Sequence, residues 1–307
     1  MEFLKRYKHK LIRKISHKIK SSQINLVRFS WFANQVSPET IAILDYPLNL
    51  SQRYTAEKPH KKIRDLISEN KDRYKNILLS FLKYEEKLKE ISSNRDQIKN
   101  STDPTWDNIW LPGLDGVCIY GFVSSLKPKI FLEIGSGNST KFAFKAINDN
   151  KLRTKIISID PHPRDEIDAI CDSIIRSPLE EVDLDIFDEL DENDILFIDN
   201  SHRVFMNSDV TTVFLDIIPR LKKGVIIQIH DIFLPYDYPP YWIERYYSEQ
   251  YMLASYLLAN PDFFEILLPN FFISKDDDLK FVFHEFWASK GFEGIANHGQ
   301  SFWLKIK

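Results

Sequence analysis

From Lys129 onward, short apolar runs return at intervals too long for hairpins. "KIFLEIG", "TKIISID", "DSIIRS", "DILFID" and "GVIIQIH" are bounded by turn-forming residues and separated by segments long enough for crossover helices. Runs without apolar and polar alternation suit strands buried on both faces, and strands joined by crossovers lie parallel. The chain is therefore read as α/β, with a parallel, doubly wound sheet. "FEILLP" and the terminal "SFWLKIK" follow a helical pattern in "YWIERYYSEQYMLASYLLAN". They complete a seven-stranded sheet whose last strand runs antiparallel.

Size and composition narrow the classes. With 307 residues, 43% hydrophobic and 13% aromatic, the chain can bury a sizeable core and has room for a cap beside one large domain. Residues 1 to 20 hold eight Lys or Arg against the single Glu2, so +7 there against −3 for the whole chain leaves −10 for the rest. A mildly acidic body is not built for nucleic acid. Cys118 and Cys171 are too few and too isolated for a disulfide framework or a cysteine-rich metal site, and two reduced thiols in a cytoplasmic protein are expected. No apolar stretch reaches the roughly 18 residues of a membrane span, and no apolar h-region follows the basic N-terminus.

Residues 3 to 20 read as a basic amphipathic helix, with Phe3, Leu4, Tyr7, Leu11, Ile12, Ile15 and Ile19 on one face. Two uses are open: a peripheral anchor on the anionic inner membrane surface, or packing on the chain's own domain or on a second subunit of a homo-oligomer. "KKIRDLISENKDRYKNILLSFLKYEEKLKEI" carries a second helical stripe before "SSNRDQIKNSTDPT" breaks it. Residues 1 to 100 are expected to form a helical cap, and residues 101 to 307 the main domain.

"IFLEIGSGNSTKF", residues 130 to 142, turns from the first strand into a helix. Gly135 and Gly137 let backbone approach a ligand closely, and Ser139 or Thr140 can cap the helix. Ser136 and Asn138 complete this nucleotide-type cradle. The dinucleotide fingerprint G-x-G-x-x-G has Thr140 at its sixth position here, which weakens a nicotinamide-dependent oxidoreductase. A carboxylate at Glu133 would repel a pyrophosphate but suits a cationic amino-acid ligand such as S-adenosylmethionine. Asp160, followed by Pro161 at the end of the second strand, can take both ribose hydroxyls.

"EIGSGNSTKFA", "SIDPHPR", "DILFIDNSHR", "SDVTTVFLDIIPRLKKGV" and "IHDIFLPYDYP" resemble the successive motifs of class I S-adenosylmethionine-dependent methyltransferases. The resemblance is to the branch of macrocin-type sugar O-methyltransferases and cephalosporin-hydroxylase-like proteins, and it covers residues 104 to 307. "WLPGLDGVCIYGFV" and "YYSEQYMLASYLL" fit as well. The resemblance implies a Rossmann-like seven-stranded domain with the methyl donor at the carboxyl ends of the strands. In the sugar-modifying relatives it implies a divalent metal beside the donor, held by one Asp after the fourth strand and two after the fifth. This chain keeps Asp199 and Asp231 but has His230 in place of the other Asp.

Two mechanisms follow. Asp199, His230 and Asp231 can hold Mg²⁺, Mn²⁺ or Fe²⁺, the imidazole favouring the softer ions. Alternatively Asp199 positions the donor's amino group while His230 acts as general base without metal; His202 is a further candidate base. Tyr236 and Tyr238 either contact the acceptor or belong to a lid packed on the core, and Glu249 and Gln250 are candidates to line the acceptor pocket. The expected activity is O-methylation of a hydroxyl on a sugar, glycan or small metabolite. The alternatives are a non-catalytic donor-binding member of a glycan-assembly complex and an NAD-dependent oxidoreductase.

Overall fold

The computed structural model describes residues 49–307, and the basic segment at residues 3 to 20 lies outside them. Its helices are α1 (Lys61–Ser68), α2 (Lys71–Phe81), α3 (Glu85–Lys89), α4 (Gly113–Leu126), α5 (Asn138–Asp149), α6 (Asp209–Thr212), α7 (Glu249–Ala259), α8 (Asn270–Lys275), α9 (Asp277–Lys280) and α10 (His284–Trp287). The strands are β1 (Ile130–Ile134), β2 (Lys155–Ile159), β3 (Ser173–Ile175), β4 (Ile195–Ile198), β5 (Ile226–Ile229), β6 (Phe264–Pro269) and β7 (Phe302–Ile306).

These form one seven-stranded sheet in the order β3-β2-β1-β4-β5-β7-β6. The first five strands pair in parallel, whereas β7 inserts between β5 and β6 and runs antiparallel to both. This is the doubly wound, Rossmann-like architecture read from the apolar runs. Burial tracks position: β4 and β5 are buried throughout, while β3 at the edge is mostly exposed. The strand order reverses between β1 and β4, and ligands of open α/β sheets bind at such a point.

The crossovers differ from expectation. β1 to β2 is bridged by α5, and β4 to β5 by a continuous helical run in which α6 passes into a π turn at Val213–Ile217 and a 3₁₀ turn at Ile218–Arg220; β2 to β3 has only a 3₁₀ turn at Asp168–Ile170, and β3 to β4 only 3₁₀ turns at Leu179–Glu181 and Leu184–Glu189. Pro161, Pro163 and Pro178 sit in these two segments among acidic residues, and proline removes helix donors while fixing φ. The long helical stretch from Lys61 is likewise three helices, with a 3₁₀ turn at Leu82–Tyr84 between the last two. Its stripe points inward as read: Ile63, Ile67, Tyr74, Leu78, Phe81 and Leu88 join the same core cluster as the sheet. Burying each such side chain contributes about 1.5–3 kcal/mol. Ser51–Lys307 forms one compact unit. Cys118 and Cys171 are unpaired. Among the described residues, no helix is long and apolar enough to cross a membrane.

Candidate active site at the carboxyl ends of the strands

The turn after β1 is shaped by what lies opposite it. Gly135 has φ 78°, and a Cβ there would come within 2.0 Å of the Asp199 carbonyl oxygen. Its amide donates to Ile159 O at 2.9 Å, and the Asp199 amide donates to Ile134 O at 2.8 Å, so the turn is wedged between β2 and β4. Only glycine meets both the left-handed φ and the close approach. Asp160 braces the next residues: one carboxylate oxygen accepts from the Ser136 amide at 2.8 Å and the other from the His162 amide at 2.7 Å. Each oxygen can accept again, so the expected ribose contact remains chemically open.

The helix cap comes from Thr140, but from inside α5. Its hydroxyl accepts from the Gly137 amide at 3.1 Å and donates to Glu133, while Gly137 itself is the N-cap residue. Glu133 lies beneath the turn, fully buried, with Oε1 lacking a hydrogen-bond partner. Burial pushes its carboxyl up to about 8, against the lowering effect of the Ser139 and Thr140 hydroxyls. The charged carboxylate read from the sequence is thus mostly neutral at pH 7, and its repulsion of a pyrophosphate carries little weight.

A cavity of about 420 Å³ opens beside the turn, lined by Gly135, Ser136, Asp160, Pro161, Asp199 and Asn200 among others. Gly137, Asn138 and Ser139 line a small adjoining recess with Trp110 and Arg164. Arg164 was not singled out by sequence. Its guanidinium lies 4.6 Å over the Trp110 ring and 3.9 Å from Asp199, so it stands at the mouth of both spaces.

Asp199 also belongs to a second constellation. Asp199, His230 and Asp231 each present a ligand-capable atom, all within 4.8 Å of one another. His202 Nε2 is 3.1 Å from Asp199 Oδ1 and 3.5 Å from Asp231 Oδ2; His230 Nδ1 is 3.5 Å from Asp199 Oδ1 and 3.3 Å from Asp231 Oδ1. The far nitrogens face buried carboxylates. His202 Nδ1 meets Glu249 at 2.8 Å, and His230 Nε2 meets Asp115 at 3.3 Å, the latter an ion-pair contact without hydrogen-bond alignment. His202 and Asp231 both adopt positive φ, 60° and 57°, a cost of order 1–3 kcal/mol each that tends to gather at functional sites.

Electrostatics follow from this packing. Burial lowers both imidazoles, but the surrounding carboxylates outweigh it and hold them well above the usual histidine value. Burial likewise raises Asp199, yet His230 and His202 overcome it and keep Asp199 ionised. Asp231 is left raised, because burial exceeds the help from the two histidines.

One expectation is corrected, and for Tyr238 the second of two alternatives, a loop packed on the core, is the one observed. Glu249 and Gln250 are fully buried and do not line the cavity: Glu249 grips His202 and Asn200, while Gln250 accepts from the Phe233 amide and donates to Tyr236 O. Tyr238 is buried with Phe233 and Trp242 and accepts from the Gln250 amide, so its loop packs on the core rather than on a ligand. Asp115 was missed altogether. It lies in the apolar α4, accepts from Asn270 and from the Gln300 and Ser301 amides, and is fully buried. A lone acid inside "LPGLDGVCIYGF" was the available signal.

Comparison with known proteins adds the following. No curated protein matches the chain. A methyltransferase from Podospora anserina, solved bound to SAH, is 16% identical over 74% of this chain and 88% of its own, with a TM-score of 0.38. The plantazolicin methyltransferase BpumL, solved with SAH, is 14% identical over 80% of this chain and 99% of its own, with a TM-score of 0.39. Likenesses this weak carry no argument by themselves. Residues 132–232 match the model of a methyltransferase domain family. That segment, about a third of the chain, runs from β1 to the residue after Asp231, and over it the chain is similar to that methyltransferase domain family.

Proposed function

We propose that this chain transfers a methyl group from S-adenosylmethionine to a hydroxyl oxygen of a sugar, glycan or small metabolite. One observation carries the reading: Asp199 lines the cavity formed by the glycine turn and Asp160, and it also belongs to the cluster of His202, His230 and Asp231. A donor site and a deprotonating group therefore share a side chain. In this reading the amides of the Gly135 turn and Asp160 hold the donor, and Asp199 stands where donor and acceptor meet.

The cluster fits a divalent ion. Ligand bonds of about 2.0–2.2 Å set neighbouring ligand atoms roughly 3.0–3.5 Å apart; His230 Nδ1 stands 3.5 Å from Asp199 and 3.3 Å from Asp231, in a set whose ligand atoms all lie within 4.8 Å. Asp199, His230 and Asp231 would hold the ion, and bound there it would lower the pKa of a hydroxyl that reaches it. The residues themselves bind, orient and exclude water: His230, Asp231 and His202 are buried, and Asp199 alone of the four lines the cavity.

Calorimetry with S-adenosylhomocysteine, then transfer of a labelled methyl group to a panel of hydroxylated acceptors with and without chelator, tests this. Donor binding with chelator-sensitive transfer is expected. Failure to bind S-adenosylhomocysteine, with binding of NADH instead, refutes the reading.

A further inference from the structure

Three residues suffice to describe an ion site, yet they leave His202 without a purpose. It is almost fully buried and held in a left-handed conformation, and its carbonyl accepts from the Ser248 and Glu249 amides at 2.8 and 3.2 Å. Its ring is fixed by Glu249, which is itself fully buried and tied to Asn200 at 3.0 Å. So many constraints on one imbedded side chain aim Nε2 at a particular place, the gap between Asp199 and Asp231.

His230 is arranged the same way from the other side. Its outer nitrogen faces Asp115, which Asn270 and the Gln300 and Ser301 amides hold in place, and its inner nitrogen faces the same two carboxylates. Two imidazoles from different strand ends thus converge on one carboxylate pair, each backed by a buried acid. Metal-binding histidines are oriented in this manner, because a carboxylate on one ring nitrogen fixes the tautomer and makes the other a better donor.

We infer that His202 is a fourth ligand, with Asp199, His230 and Asp231, and that this two-imidazole, two-carboxylate set selects a first-row transition ion over Mg²⁺. The inference rests on the reading of the cluster as an ion site. The four separations between imidazole nitrogen and carboxylate oxygen are 3.1, 3.5, 3.5 and 3.3 Å. The ligand atoms of Asp199, His230 and Asp231 lie within 4.8 Å of one another, and His202 joins that set through Asp199 Oδ1 and through Asp231 Oδ2, the oxygen that His230 does not face, so it meets the two carboxylates as closely as His230 does. The chemistry then decides the ion: all-oxygen sets suit Mg²⁺, whereas imidazole suits Mn²⁺, Fe²⁺ and the later ions, and Mg²⁺ tends to keep its waters rather than enter an all-protein cage. Sitting 2% exposed, His202 has no surface for an acceptor, which fits a ligand better than a base.

The test uses the full chain, Mn²⁺ as the probe and S-adenosylhomocysteine binding as a parallel readout. Pulsed electron paramagnetic resonance of Mn²⁺ bound to the wild type should detect two directly bound imidazole nitrogens, both changed by ¹⁵N-histidine labelling. A single nitrogen overturns the role of His202 while leaving the three-residue set standing. Calorimetry should give Mn²⁺ an affinity at least tenfold above Mg²⁺, and equal affinities overturn the selection. His202→Ala should weaken Mn²⁺ by at least tenfold with S-adenosylhomocysteine affinity kept; unchanged Mn²⁺ affinity overturns the inference. Should that variant fail to fold, the wild-type spectrum still decides. Wild type that binds S-adenosylhomocysteine but no Mn²⁺ sinks the ion site alone, and the opposite pattern sinks the donor reading alone.

Discussion

Replacing Gly135 with alanine tests the joint between fold and site. The new Cβ would lie 2.0 Å from the Asp199 carbonyl oxygen and 2.9 Å from its carbon, where ordinary contact needs about 3.4 Å or more, and the residue would keep φ 78°. The left-handed conformation costs about 1–2 kcal/mol for a residue with a side chain. Relieving the overlap means moving β1 from β4, at about 1–3 kcal/mol for overpacking and about 1 kcal/mol for each ladder hydrogen bond stretched. The bonds at risk are Asp199 N to Ile134 O and Gly135 N to Ile159 O. The sum is roughly 4–7 kcal/mol, a drop in Tm of roughly 8–28 °C at about 2–4 °C per kcal/mol for a domain of this size. Gly294→Ala is the control, since Gly294 has φ 84° with nothing within 4 Å of its Cβ, so it bears the dihedral cost alone. Circular-dichroism melts and calorimetry with S-adenosylhomocysteine read both variants. Gly135→Ala should melt well below Gly294→Ala and lose donor binding. If the two variants melt within about 2 °C of each other, the wedge between β1 and β4 is not what the glycine serves.

Further outcomes are expected elsewhere. Asp160→Ala should weaken S-adenosylhomocysteine by about tenfold to a hundredfold, the worth of charge-assisted hydrogen bonds to a ribose, and calorimetry giving unchanged affinity removes Asp160 from the donor site. Glu133→Gln should flatten the pH dependence of stability: from about pH 4.5 to 8 the unfolded wild type loses the Glu133 proton while the folded protein keeps it, so stability falls as pH rises. The slope is up to about 1.4 kcal/mol per pH unit, and denaturant melts showing the same slope in both proteins would contradict the buried neutral acid. Asp115→Ala leaves Asn270 and two amides without their acceptor and His230 without its facing carboxylate, and should cost about 3–5 kcal/mol by urea denaturation; a loss under 1 kcal/mol refutes the bracing role. Deleting residues 1 to 20 should abolish sedimentation with anionic liposomes at low salt, at ~1 kcal/mol per basic residue, whereas a change in oligomeric state instead favours the packing reading.

The sequence by itself determined the sheet. Apolar runs such as "ILFI" and "IIQI" have no polar face to offer water, so they had to be covered on both sides, and their order along the chain left few topologies. The strand-to-helix glycines, Asp160 and the strand-end acids were legible for the same reason, since each falls at a fixed distance from an apolar run. Helix breaks were less so: the 3.6-residue stripe from Ile63 to Leu82 continues through the break between α1 and α2, because both helices bury their apolar faces in one core. What only the tertiary structure decided is how the charges combine. Asp115, Glu249 and His230 lie far apart along the chain, on α4, α7 and the end of β5, and no local pattern links them. The structure alone turns Glu249 from a pocket residue into the brace of His202, and neutralises Glu133 by burial. Ionisation depends on what surrounds a group in space, and the chain order does not encode those distances.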